Sequence, residues 1–153
     1  MALNIASGSR YILTNAQSGT AADLSGVDSR TVIGYGKHGG ENQQWEILYN
    51  GDGWHIRSVL NGKFLALEGN PNEGTKVIAD ERPFTWHLWP DTKDIRAARI
   101  AVPSTDLVVD LANNGSSEPG TPIQAARRRE GKHQVWKLVQ GMSLSILLCG
   151  KVP

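Results

Sequence analysis

The side chains that could support catalysis are scattered along this sequence of 153 residues. The acidic pair Asp91 and Asp94 carries no sequence feature of a glycosidase dyad, and the lone cysteine, Cys149, lies among apolar residues, which favours an unreactive thiol. No Gly-x-Ser-x-Gly elbow and no His-Glu-x-x-His zinc helix is present. The histidines fall in separate segments, at His38, His55, His87 and His133. We therefore expect no enzyme activity, no cofactor and no metal site.

A different pattern is repeated along the chain. Three tryptophans close similar segments, in each of which a polar residue and then an aliphatic residue follow the Trp. The spacings between these tryptophans are 41 and 50 residues. The segments are Gln43-Gln44-Trp45-Glu46-Ile47, Phe84-Thr85-Trp86-His87-Leu88 and Gln134-Val135-Trp136-Lys137-Leu138. The same spacing is kept upstream of the tryptophans, since Leu13, Ile56 and Ile100 precede Asp23, Ala66 and Asp110, respectively, by ten residues.

The elements that must position these residues are short strands. Gly or Pro interrupts nearly every window of helical periodicity, whereas short alternating stretches are common. The predicted strands are Tyr11–Thr14, Trp54–Val59, Phe64–Leu67 and Arg99–Val102. Turn sequences such as His38-Gly39-Gly40 and Asn61-Gly62 separate them. The sequence predicts an all-β protein whose three units must pack together, because units of about 40 residues cannot bury their apolar faces alone.

Composition excludes several classes of partner. Sixteen basic and fifteen acidic residues give a net charge of +1, which argues against a nucleic-acid binder. The single cysteine excludes an intramolecular disulfide. The longest apolar run, Met142–Cys149, is too short to span a bilayer, so we expect no membrane insertion. The first ten residues lack the pattern of a secretory signal, and the expected location is cytoplasmic.

The three Gln-x-Trp-type segments resemble those of the ricin B-type lectins. The stretches 18–26 and 38–45 are similar to the small single-domain ricin B-like lectins of mushrooms, and the resemblance covers about residues 10–139. It implies a β-trefoil with pseudo-threefold symmetry, in which three hairpins cap a six-stranded barrel. The implied domain is 1–139, with repeats at roughly 10–50, 51–92 and 97–139 and a tail at 140–153. The implied function is binding of galactose- or N-acetylgalactosamine-type glycans in fungal defence.

The resemblance implies a complete sugar pocket in the first repeat. A sugar site needs a carboxylate and an amide for the hydroxyls, and a flat ring for the apolar sugar face. Asp23 matches the family's sugar-binding Asp, and Gln43 the residue that orients it. Tyr35 matches the stacking ring, although His38 is the sugar-facing ring in the mushroom branch. The candidate residues are Asp23, Gly26, Tyr35, His38, Gly39, Gly40, Asn42 and Gln43. The alternative is that Asp23 caps a turn and His38 is solvated.

The other two repeats depart from this pattern. In the second repeat Ala66 replaces the Asp, and Arg82-Pro83-Phe84 replaces the polar end, which predicts an inactive pocket with Phe84 and Trp86 in the core. Glu68 is a substitute acid without an amide. The third repeat keeps the Asp but has Ala126 in place of the ring, and its candidate weaker site consists of Asp110, Gln124, His133 and Gln134. Arg127-Arg128-Arg129 is either a solvated loop or a contact for an anionic sugar or phosphate.

Two further hypotheses follow from the same features. A β-trefoil can also inhibit proteases through exposed loops, and the retained Asp, Asn and Gln argue against this alternative. The apolar tail either packs on the domain or on a second subunit, or is a disordered terminus. A homodimer would give the avidity that lectins gain from two sites.

Overall fold

The structure is a computed structural model that describes residues 3–140, and this part of the chain folds into twelve short strands. The first repeat contains β1 (Ser9–Asn15), β2 (Ala21–Leu24), β3 (Val32–Tyr35) and β4 (Trp45–Tyr49). The second contains β5 (Trp54–Ser58), β6 (Phe64–Leu67), β7 (Val77–Asp80) and β8 (His87–Pro90). The third contains β9 (Ala97–Ala101), β10 (Leu107–Leu111), β11 (Thr121–Arg127) and β12 (Trp136–Gln140). Two 3-10 turns, Glu41–Gln43 and Lys132–Gln134, precede β4 and β12. A short turn, α1 (Ala112–Gly115), follows β10, and its central residues Asn113 and Asn114 have left-handed φ angles of 55° and 54°.

Six of the strands close a barrel. Antiparallel pairing joins β1 to β4, β4 to β5, β8 to β9, β9 to β12 and β12 back to β1. The remaining seam, between β5 and β8, is closed by two backbone hydrogen bonds of 2.9 and 2.8 Å between Trp54 and Trp86. Closure removes the open strand edges that would otherwise invite aggregation.

Three hairpins cover one end of this barrel. They are β2–β3, β6–β7 and β10–β11, one from each repeat. Neighbouring hairpins are joined by pairing of Thr121 with Gly34, and by the bridges Thr31 to Ile78 and Lys76 to Gln124. A six-stranded barrel capped by three hairpins in threefold order is a β-trefoil, which confirms the predicted fold.

The three repeated tryptophans form equivalent parts of the core. Trp45, Trp86 and Trp136 are almost fully buried. Each indole nitrogen donates a hydrogen bond to a carbonyl of the preceding hairpin, on Ala22, Leu65 and Val109 respectively, at 3.1, 2.8 and 3.0 Å. Since the next residue in each hairpin is Asp23, Ala66 or Asp110, these hydrogen bonds place the three candidate pocket positions equivalently. Leu13, Ile56 and Ile100, which keep the predicted register, are also buried.

The predicted strands lie close to the observed ones. β5 ends at Ser58 and β9 ends at Ala101, so Val59 and Val102 lie just beyond the strands to which they were assigned. At both positions the chain turns into the hairpin of its repeat. Within residues 3–140, no helix is long and apolar enough to cross a membrane, and no group of three or more His, Cys, Asp or Glu side chains could hold a metal ion.

The turn between β2 and β3 depends on the Asp28 carboxylate. It accepts hydrogen bonds from the Thr31 hydroxyl at 2.6 Å and from the backbone amides of Arg30 and Thr31 at 3.0 and 2.9 Å. The Thr31 hydroxyl above all, and then these amides, lower the pKa of Asp28 from 3.8 to about 2. Because the pKa is lower in the folded chain, the stabilisation by Asp28 is complete above its ordinary pKa and is lost as the pH falls towards 2.

We expect Asp28→Asn to lower the urea midpoint of unfolding at neutral pH. We expect this difference to shrink as the pH falls below the ordinary pKa of 3.8 and to be largely lost near pH 2, where about half of the native carboxyls are protonated. Urea titrations across this pH range measure the difference. Asp52→Asn is the control, since no hydrogen bond to the Asp52 carboxylate forms within residues 3–140. A difference that persists unchanged at low pH would contradict the role of the charge.

Candidate functional site

In the first repeat, β2 holds Asp23 opposite Ile33 of β3, with only 6% of its side chain exposed. Its Oδ2 accepts a hydrogen bond of 2.9 Å from Nε2 of Gln43. Its Oδ1 accepts none from residues 3–140. Among the described residues, Thr14 Oγ1 is the only fully buried side-chain polar atom that lacks a hydrogen-bond partner. Because Oδ1 of Asp23 also lacks a partner, it is not fully buried and must be in contact with solvent. The carboxylate therefore presents one fixed, free acceptor at the surface.

The buried amide of Gln43 organises the loop beside this carboxylate. Besides its bond to Asp23, Nε2 of Gln43 donates to the carbonyl of Gly36 at 2.9 Å. Its Oε1 accepts from the backbone amides of His38 and Gly39 at 2.9 and 3.1 Å. One amide group thus fixes the carboxylate and the loop 36–39 together, and its burial makes these hydrogen bonds costly to lose.

Two rings stand at the rim of this pocket. Nε2 of His38 lies 3.7 Å from Oδ2 of Asp23, and 47% of the His38 side chain is exposed. Nδ1 of the same ring accepts a hydrogen bond of 2.9 Å from the Gly40 amide, so in the neutral ring Nε2 carries the proton and faces Asp23. Tyr35 lies edge-on to His38, with ring centroids 6.2 Å apart, and is also exposed. Both rings are accessible to solvent, and His38 is the one that lies beside the carboxylate.

The glycines of this loop shape the pocket without offering free amides. The amide of Gly39 is bonded to Gln43 and that of Gly40 to His38. Gly39 has a φ of +79°, which favours glycine. A Cβ added at Gly40 would lie 2.9 Å from the His38 ring and 3.1 Å from Oδ1 of Asn42, so a side chain there would crowd both. Gly26 lies in the exposed turn after β2, outside these hydrogen bonds.

Three backbone carbonyls that support the pocket could not be identified from the sequence. The Asn42 amide donates to the carbonyl of Leu24 at 3.3 Å, and the Gln44 amide donates to the carbonyl of Gly39 at 2.8 Å. The carbonyl of Gly36 also belongs to this set. Backbone carbonyls are present at every residue, so only the folded chain shows which of them face the pocket.

The third repeat contains the same carboxylate and amide. Nε2 of Gln134 donates to Oδ2 of Asp110 and to the Arg127 carbonyl, both at 2.9 Å. Its Oε1 accepts from the Arg129 amide at 2.9 Å and from Nη1 of Arg99 at 3.0 Å. The arrangement around the glutamine therefore repeats that of Gln43, with the Arg99 guanidinium as an added donor that sequence reasoning did not identify.

The surroundings of Asp110 differ, because protein groups face both oxygens of its carboxylate, and we call the third-repeat pocket closed in this sense. Nε2 of His133 lies 3.4 Å from Oδ2 of Asp110, and Nε2 of Gln124 lies 3.4 Å from Oδ1, so both carboxylate oxygens face nitrogen atoms of the protein. Only 11% of the His133 side chain is exposed. Ala126, opposite Val108, is fully buried and offers no ring. The Asn15 amide holds this region from the other side through the His133 carbonyl at 3.0 Å.

The three consecutive arginines have different partners. Nη2 of Arg129 and Nε of Arg127 lie 2.8 and 3.7 Å from the carboxylate of Glu73 in the second repeat. Arg128 lies instead with its guanidinium carbon 6.0 Å from the centroid of the Trp89 ring. All three arginines are exposed, as expected of a solvated segment, but they do not act as one cationic cluster, because Glu73 pairs with Arg127 and Arg129 only.

The second repeat has no carboxylate at the pocket position. Ala66 is buried there, and Phe84, in the place of the glutamine, packs against Trp86 with ring centroids 4.6 Å apart. Glu68 is exposed and pairs with Arg30 of the first repeat at 2.5 Å, so its carboxylate is already engaged.

Comparison with known proteins identifies the family. The family model described as ricin-type beta-trefoil lectin domain-like matches residues 3–80. This chain belongs to the ricin-type β-trefoil lectin family. No curated protein sequence matches this lectin at a significant level.

Solved structures extend the similarity over most of the chain. A ricin B-like lectin of Macrolepiota procera, in complex with lactose, is 42% identical, with a TM-score of 0.87 over 90% of this lectin and 99% of that chain. The designed threefold-symmetric protein ThreeFoil is 27% identical, with a TM-score of 0.77 over 85% of this lectin and 97% of the design. The Rhizoctonia solani agglutinin, 22% identical with a TM-score of 0.81 over 92% and 100%, shares the fold. This lectin is therefore a carbohydrate-binding β-trefoil.

Proposed function

We propose that this lectin binds galactose- or N-acetylgalactosamine-terminated glycans through the first-repeat pocket, and that it acts by binding alone, without catalysis. The observation that carries the proposal is the solvent-facing Oδ1 of Asp23, on a carboxylate that Gln43 holds in place. A buried, oriented acceptor with one free oxygen is what a sugar hydroxyl requires, since little ordering is needed on binding. The corresponding carboxylate of the third repeat faces protein nitrogens on both sides.

Each group of the pocket has a role in this proposal. Asp23 accepts hydrogen bonds from two adjacent sugar hydroxyls, and Asn42, whose Oδ1 has no hydrogen bond within residues 3–140, receives a third. His38 or Tyr35 covers the face of the sugar. Galactose suits this arrangement because its axial 4-hydroxyl leaves one face of C–H groups free to stack on a ring. The Macrolepiota lectin supports the sugar class, since lactose ends in galactose.

Calorimetric titration tests the proposal directly. Lactose and N-acetylgalactosamine are expected to bind with one site per chain, and glucose, whose 4-hydroxyl is equatorial, is expected to bind much more weakly. Equal binding of glucose would contradict the assigned sugar class. Absence of any sugar binding, together with inhibition of papain or trypsin, would favour the protease-inhibitor alternative.

Gly40→Ala tests whether His38 and Asn42 act together at the pocket. The added Cβ would have to displace one or both of them, and we expect lactose affinity to fall about tenfold through the loss of one hydrogen bond or ring contact. Gly36→Ala is the control, since a Cβ there meets no atom within 4 Å. Calorimetry measures the affinities, and an unchanged affinity in Gly40→Ala would remove His38 and Asn42 from the site.

A defence role requires that the lectin cross-link glycans. With one open pocket per chain, cross-linking needs two chains, and we propose a homodimer for this purpose. The tail to which the sequence assigns dimerisation extends beyond the described residues. Gel filtration at micromolar concentration is expected to give twice the mass of the chain, and a monomer that still agglutinates cells would contradict the single pocket.

For the defence role itself, feeding assays on grazing animals are expected to show toxicity that lactose suppresses.

A further inference from the structure

A cavity beside the third repeat contains none of the three pocket positions, Asp23, Ala66 and Asp110. It has a volume of about 550 Å³ and opens between the β8–β9 turn and the residues that surround the turn Lys132–Gln134. We call it the Trp89 cavity. Its wall includes Trp89, Arg99, Arg128, Lys93, Lys132 and Lys137. It includes neither Asp110 nor His133, so it does not contain the third-repeat carboxylate, although Arg99 on its wall also donates to Oε1 of Gln134.

The paired strands β8 and β9 and the segment after β11 place Trp89, Arg99 and Arg128 on the wall of this cavity. Trp89 of β8 and Arg99 of β9 are directly paired across the two strands, so their side chains project from the same face of the sheet. Arg128 follows β11, and its backbone amide is anchored to the Asp106 carbonyl at 2.8 Å. Its guanidinium carbon lies 6.0 Å from the Trp89 ring centroid, at the outer limit of cation–π contact.

The positive charge of this cavity is not fully balanced. Five cations and three acids line it, the acids being Asp91, Asp94 and Glu130. Asp91 and Asp94 are engaged in the β8–β9 turn, where Asp91 accepts from the amides of Lys93 and Asp94, and Asp94 accepts from the amide of Arg96. Within residues 3–140, neither Arg99 nor Arg128 has a carboxylate oxygen within 4.0 Å.

The two arginines also affect each other. Burial lowers the pKa of the Arg99 guanidinium, and the charge of Arg128 lowers it further, while Asp91 and Glu130 offset part of this effect. Two guanidinium groups that face one cavity without a close carboxylate would be relieved by a bound anion.

We propose that the Trp89 cavity binds an acidic sugar residue. The anionic group of the sugar would lie between Arg99 and Arg128, and the apolar face of the sugar ring would lie against the Trp89 indole. A planar aromatic wall beside guanidinium donors matches the two halves of such a ligand, its C–H face and its carboxylate or sulfate. Arg127 and Arg129, which share Glu73, lie outside this site. The site is separate from the Asp23 pocket and does not depend on the galactose proposal.

The experiment uses the full chain and ligands that lack galactose. Methyl glucuronide and glucose 6-sulfate supply the carboxylate and the sulfate, and methyl glucoside is the neutral control. Two-dimensional NMR follows the indole N–H signals, with Trp89→Phe used to assign that of Trp89. Arg128→Gln is the test variant and Arg127→Gln the matched control, since it removes the same charge from the neighbouring residue.

We expect one or both acidic sugars to shift the Trp89 signal, and the one that shifts it identifies the anion. Arg128→Gln is expected to weaken this binding about tenfold, and Arg127→Gln to change it less than about twofold. Binding is also expected to weaken as salt is added. Equal binding of methyl glucoside, no shift with either acidic sugar, or equal losses in both variants would each overturn the proposal. Unchanged lactose binding in Arg128→Gln separates this outcome from a failure of the Asp23 pocket.

Discussion

Asp23→Asn is expected to weaken lactose binding by more than about 100-fold, because two hydrogen bonds to a charged acceptor are lost or weakened. The asparagine oxygen can still accept from Gln43, and the nitrogen then replaces Oδ1, so an acceptor becomes a donor at the place where the sugar hydroxyls donate. Calorimetry measures the affinity, and circular dichroism with thermal unfolding checks that the variant folds.

Asp110→Asn is the matched control for this prediction. Asp110 is similarly buried and makes the same hydrogen bond of 2.9 Å to its glutamine, so the two substitutions change equivalent positions of the fold. The Asp110 carboxylate also faces Gln124 and His133, so the destabilisation of each variant is measured separately by thermal unfolding. We expect lactose affinity in Asp110→Asn to remain within about twofold of the native value, because the proposed site does not include the third-repeat pocket. A twofold change corresponds to about 0.4 kcal/mol. Loss of binding in Asp110→Asn, with binding retained in Asp23→Asn, would reverse the assignment of the two pockets.

Trp86→Phe is expected to destabilise the protein by about 2–4 kcal/mol, through the lost volume and the Leu65 carbonyl left without its hydrogen bond. Trp86 belongs to the repeat without a carboxylate at the pocket position, so lactose affinity should stay unchanged. Urea unfolding measures the stability and calorimetry the affinity.

Trp54→Phe serves as the comparison for this core position. Trp54 is only partly buried and packs on Tyr49, with ring centroids 5.1 Å apart, so about 1 kcal/mol of destabilisation is expected. An equal loss of unfolding free energy in Trp54→Phe and Trp86→Phe would show that burial of the repeated tryptophans is not what stabilises the three units. A loss of lactose binding in Trp86→Phe would show that the second repeat contributes to the site.

The fold follows from the sequence because the repeat is a property of residue types. Trp45, Trp86 and Trp136 are each buried, and each indole N–H donates a hydrogen bond to a backbone carbonyl. Because these three environments are equivalent, they define the threefold core. The strand ends are less predictable, as Val59 and Val102 show, since apolar residues continue into turns that tertiary contacts decide.

The sequence predicts that the third pocket is the weaker one, but it does not show that protein groups face both oxygens of the Asp110 carboxylate. Both have an Asp and a Gln, and the substitution of His133 for Asn42 leaves its consequence open. Closure depends on the distances of His133 and Gln124 from Asp110, which only the folded chain shows. The separate partners of Arg127 and Arg128 are equally invisible in a run of three identical residues.

A crystal structure of this lectin grown with lactose tests the central claim most directly. We predict one lactose per chain, with the hydroxyls of its galactose ring hydrogen-bonded to Oδ1 of Asp23 and the ring beside His38 or Tyr35. The third-repeat pocket is predicted to remain closed, with His133 against Asp110. Lactose bound at Asp110, or bound without contact to Asp23, would contradict the account.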